Sequence, residues 1–111
     1  MLRASSIALG YDLDIRAIGD PNVKVGVPGG NLLIDLVDTV LEVSNRSIGD
    51  AQQAIVDELG PASLVDAAAV FGNFEMMNRV AEGTGIPIPA QAIERERHDV
   101  ELLGLDRLLK A

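Results

Sequence analysis

The sequence predicts an all-α fold: a compact helical bundle of about five helices making a single domain over residues 1–111. Three observations carry this expectation. Apolar residues recur at three- and four-residue spacings over most of the chain beyond Gly30. The most apolar of these stretches contains Ala67-Ala68-Ala69, and alanine is the best intrinsic helix former. The only segment that alternates as a half-buried strand would, Val23–Val27, holds a glycine, runs into Pro28 and has no second strand to pair with.

Taken in order, Met1–Leu9 reads as the end of a helix stopped at Gly10, the residue type favoured where a helix turns into left-handed backbone. Tyr11–Gly30 contains six glycines or prolines, so it reads as a long connection with one short helical turn. Its length exceeds the ~12–15 residues usual for a structureless loop, which calls for an unrecognised element or a function. Asn31 is the expected cap of a helix to about Val43, with Leu32, Leu33, Leu36, Val37, Val40 and Leu41 as its apolar stripe. Ser47 and Asp50 resemble a capping box that opens a helix to Leu59, and Gly60-Pro61 ends it.

Ser63 is the expected cap of the next helix, Leu64 to about Glu82. Apolar residues lie on nearly every side of it, which places it at the centre of the bundle. Gly83-Thr84-Gly85 stops it, and Pro87 and Pro89 delay a final helix to Ala90–Leu103; Gly104 then precedes a short apolar tail.

Composition excludes several functions. The chain has no cysteine, so thiol redox catalysis and cysteine-based zinc sites are closed to it. Its net charge of −8, with no basic stripe, argues against nucleic acid and against an anionic membrane surface. No apolar run approaches the ~20 residues of a membrane span. A cytoplasmic location is expected. No phosphate-binding loop, nucleophile elbow or dinucleotide fingerprint occurs, and no cofactor is expected.

The candidate site residues are Asn73, Asn78 and Arg79, polar groups inside the most apolar helix together with Glu75. A buried amide or guanidinium needs partners, so these residues are expected to form either a hydrogen-bond network between helices or contacts to a small-molecule ligand. Arg79 suits a carboxylate, which it can hold with two parallel hydrogen bonds. His98, flanked by Glu94, Asp99 and Glu101, reads as a solvated helix residue rather than a proton shuttle. Asp12 and Asp14 read as a turn cap rather than a cation site, since a third oxygen donor is missing.

From Leu64 to Pro89 the alanine-rich helix, Phe74, Asn78-Arg79, the small apolar pair and Gly85-Ile86-Pro87 resemble the closing helices of the carboxymuconolactone decarboxylase and alkylhydroperoxidase D-like family. The likeness extends over Asn31–Pro89, and loosely over Met1–Gly30. It implies an all-helical, alkylhydroperoxidase D-like fold and assembly into a homo-oligomer. The family's peroxidases use a Cys-x-x-Cys pair followed by a histidine, ahead of a leucine-glycine stop. Here the comparable stop is Leu9-Gly10, which puts the pair before Met1, so no catalytic residue carries over. Two expectations follow: a non-thiol, oligomerising helical domain, or the C-terminal portion of an oxidoreductase whose catalytic helix lies upstream of Met1. A third is a lyase-type or small-organic-acid-binding domain using Asn73, Asn78 and Arg79.

Overall fold

The computed structural model describes residues 9–109. It is all-α, with five helices of six residues or more and no strand among the described residues. The expected helix Met1–Leu9 lies, apart from Leu9, outside the described residues; Gly10 has the left-handed backbone (φ 79°) that a helix stop requires.

The glycine-rich segment that follows is ordered by its own polar groups. Asp14 caps a single 3-10 turn, Ile15–Ala17, its carboxylate accepting the Arg16 N–H. The Asp14 N–H donates to the Val25 carbonyl at 2.8 Å, which ties the start of the segment to its end. Ile15, Ala17 and Val25 are buried, so this connection supplies part of the core. Val23–Val27 does alternate, with Val25 inward and Lys24 and Gly26 outward. It nevertheless forms no ladder, because a side chain rather than a neighbouring strand takes the Val25 N–H and the Val23 carbonyl. At Gly26 (φ 91°) a Cβ would lie 1.9 Å from the Asp12 carbonyl oxygen, so only glycine fits.

That side chain is Asn31, and it corrects the expected cap. Helix α1 spans Gly30–Val40 and is capped by Gly29 in left-handed conformation, two residues earlier. Asn31 lies inside the helix and reaches back instead, accepting the Val25 N–H at 2.9 Å and donating to the Val23 carbonyl at 2.8 Å. The helix ends in a Schellman arrangement, with Glu42 N–H on Thr39 and Val43 N–H on Asp38. Glu42 occupies its left-handed position (φ 61°), where glycine is the usual residue.

Helix α2 spans Ile48–Leu59 and buries Ala51 and Ile55, the latter completely. Ser47 precedes it but makes no side-chain cap bond, so the expected capping box does not form. Helix α3, Pro61–Thr84, follows after Gly60 alone, with Pro61 in its first turn. Ser63 is already inside this helix, and its hydroxyl donates to the Leu59 carbonyl at 2.8 Å rather than capping. The expected final helix divides into α4, Ala90–Arg95, and α5, Arg97–Leu102, with a bend at Glu96; α6 spans Asp106–Leu109. Backbone bonds from Glu96 to Ala92 and from Val100 to Glu96 bridge the bend.

The main packing runs α1 on α2 and α2 on α3, so α2 is the central layer. This overturns the placement of α3 at the centre: 24 residues long, it buries none. Its half-buried apolar residues are Leu64, Ala67, Phe71 and Ala81. The radius of gyration is accordingly 15.4 Å, against about 13 Å for a closely packed domain of this length.

Candidate functional site

An apolar groove lies between α1 and α3. Leu33, Leu36 and Val37 form one wall, Ala67, Val70 and Phe74 the other, and Leu59, the last residue of α2, also lines it. The i, i+4 spacing of Leu33 with Val37 and of Val70 with Phe74 aligns these side chains along the two helices. The cavity measures about 540 Å³ and opens to solvent. Its polar groups are Ser63, whose hydroxyl is already committed to Leu59, and the exposed carboxylate of Asp66. The groove can therefore receive apolar matter and offers no cation to an anionic ligand.

A second cavity, about 250 Å³, is bordered by Asn31, Asp35, Asp38 and Ser44. Burial, and then the neighbouring charge of Asp35, push the Asp38 carboxyl above its ordinary value. Asp35 is held by Arg46 at 2.5 Å, and both polar ends of Asn31 are committed to the preceding loop. No cluster of three or more metal-ligating side chains occurs among the described residues.

Asn73, Asn78 and Arg79 are not where the sequence led one to expect them. All three are exposed, and none lines either cavity. Arg79 is 65% exposed and pairs along its own helix with Glu82 at 2.6 Å and Glu75 at 4.0 Å. Among the described residues the expected buried network does not form: all three side chains are exposed, and Arg79 is paired along its own helix. His98 is exposed on α5, as expected of a solvated helix residue. Asp14 is a turn cap, as its spacing indicated, and the Arg16 guanidinium bonded to it lowers its carboxyl to about 2. No described helix is long and apolar enough to cross a membrane.

Sequence reasoning missed the groove. Its signal was present in Val70 and Phe74, one turn apart, but assigning them to the bundle centre hid that they are open to solvent. Comparison with protein-family models, curated proteins and solved structures finds no match.

Proposed function

We propose that this chain is a self-associating helical domain, a cysteine-free relative of the carboxymuconolactone decarboxylase and alkylhydroperoxidase D-like family, working in the cytoplasm without peroxidase chemistry of its own. One observation carries this reading: α3 carries apolar residues on nearly every side, yet none of its residues is buried among the described residues. A helix hydrophobic all round belongs in an interior, and here neighbouring copies supply that interior. Val65, Met76 and Val80 are each more than half exposed, and contiguous apolar surface of this kind marks an interaction site. The chemistry half rests on composition: peroxide reduction needs a thiolate and a resolving thiol, and the sequence has neither.

Size-exclusion chromatography with light scattering at micromolar concentrations tests the reading. A mass that is a multiple of 11.7 kDa is expected. A strict monomer throughout the concentration range overturns it.

The groove favours a second reading, a binding site for an apolar small molecule, since ~300–1,000 Å³ is the usual range for such sites and this cavity measures about 540 Å³. Asp66 at its edge suits a neutral or cationic ligand better than the organic acid expected from Arg79. A groove-filling Ala67→Phe variant should abolish any thermal stabilisation that apolar ligands produce; unchanged stabilisation removes this reading.

A further inference from the structure

Resting on the self-association reading, we infer which surface pairs and how: the outer side of α3 packs antiparallel against the same side of α3 in a second copy, about a two-fold axis near Met76. At 100° per residue, Val65, Ala69, Gly72, Met76, Val80 and Gly83 fall along one side of α3, opposite the half-buried Leu64, Ala67 and Phe71. The stripe repeats every three or four residues over five turns, the spacing of a helix seam. Three of its members are large and bare, Val65 at 68%, Met76 at 58% and Val80 at 55% exposed. Gly72 stands in the middle with nothing within 4 Å of where a Cβ would be.

The surface on offer is adequate for a pair. Val65, Met76, Met77 and Val80, with Ile86 and Ile88 just beyond the helix, are all exposed. At roughly 100 Å² each they supply most of the about 800 Å² per partner that a stable pair needs.

The charges select a second copy over an unlike partner. Two-fold symmetry between antiparallel helices brings like flanks together, and one flank of this stripe carries both signs, Glu75 and Arg79. Centring the pair on Met76 sets Gly72 opposite Val80 of the second copy and Ala69 opposite its Gly83, small against large or small against small. The same register sets Glu75 two positions from level with Arg79 of the second copy, twice over, and equally near its Glu75 once, so the attractive pairs outnumber the repulsive one. Arg79, now shared between Glu82 and Glu75 of its own helix, is free to lean across because it is 65% exposed. The seam itself carries no acidic residue, so the chain's net charge of −8 does not bear directly on it.

The test uses three single variants of the full chain. Gly72→Glu should weaken association at least tenfold while circular dichroism, and the unfolding midpoint measured at concentrations where wild type is dissociated, are not lowered, since the site is open. Glu75→Arg and Arg79→Glu should each weaken self-association, because like charges then meet across the axis. An equimolar mixture of those two should recover it, because both cross-pairs become attractive again, an effect no change within one chain can produce. If wild type associates but Gly72→Glu does so equally tightly, or the mixture recovers nothing, the pairing surface is wrong and self-association survives. If wild type is a monomer, both fall together. Phe74→Ala, in the groove, serves as the control and should leave association unchanged; a loss there would move the interface to the groove and overturn this one.

Discussion

The side-chain oxygen of Asn31 accepts the backbone N–H of Val25 at 2.9 Å, six residues back in the chain. Its amide nitrogen simultaneously donates to the Val23 carbonyl, so one side chain stands in for a neighbouring strand. Val25 is thereby held in the core, where its Cγ1 would lie 2.3 Å from a Cβ at Gly30.

Asn31→Ala should therefore cost about 2 kcal/mol, because two part-buried backbone groups lose their partners at once. Asn31→Asp should cost less than alanine but remain destabilising, since it keeps the acceptor and loses the donor. Urea unfolding midpoints measure both.

Ile55 has no exposed surface and lies in α2, between the helices packed on either side. Truncating it to alanine should cost about 3 kcal/mol through lost burial and the cavity left behind. The equivalent change at Val65, on the bare side of α3, should cost well under half of that in the monomer. The contrast between the two midpoints tests whether α2 rather than α3 is the structural centre.

Glu42 holds a left-handed backbone at the end of α1, with φ 61°. Glycine adopts that conformation without the clash that a Cβ makes with the following carbonyl. Glu42→Gly should accordingly raise stability by about 1 kcal/mol, and thermal unfolding reads the gain.

The hydrogen-bonded guanidinium of Arg16 lowers the Asp14 carboxyl from 3.8 to about 2. A carboxyl lowered by folding contributes stability that is fully present above its unfolded value and is lost as pH falls through the folded one. The stability advantage of wild type over Asp14→Asn should therefore persist down to about pH 4 and vanish by about pH 2. Raised salt should shrink it, because the pair is exposed.

Asp38 behaves with the opposite sign. Burial and the charge of Asp35 raise its carboxyl above 3.8, so the folded state carries a penalty once the group ionises. Asp38→Asn should raise the unfolding midpoint at neutral pH, and the gain should disappear below about pH 3.8, where both states are protonated. A gain independent of pH would place the effect in packing instead.

Much of the fold was legible in the residue order because it depends on local chemistry. The helix stops at Gly85 and Gly104 are left-handed glycines, as their composition indicated. The single turn at Ile15–Ala17 is capped by the aspartate that the sequence singled out as a cap. The end of α1 was expected near Val43, but no glycine marks its left-handed position at Glu42; there the backbone takes a strained conformation so that two N–H groups can satisfy the end of α1. Asn31 was misassigned for a related reason. Asparagine's propensity to cap is local, whereas its actual partners lie six and eight residues away.

The candidate site was the least legible part. Asn73, Asn78 and Arg79 drew attention as polar groups in an apolar helix, on the assumption that apolar means buried within the same chain. A single sequence contains periodicity, but it does not say which molecule covers a helix.

The sequence by itself determined the all-α class, the positions of the three main helices and the absence of thiol chemistry, because helix propensity, chain breakers and residue inventory act over a few residues or none. Tertiary structure alone decided that α2 forms the middle layer, that the glycine-rich segment folds back onto α1, and that α3 presents its apolar outer side to solvent. Those outcomes depend on which surfaces meet in space, and burial is settled by the sum of contacts around each helix rather than by the residues along it.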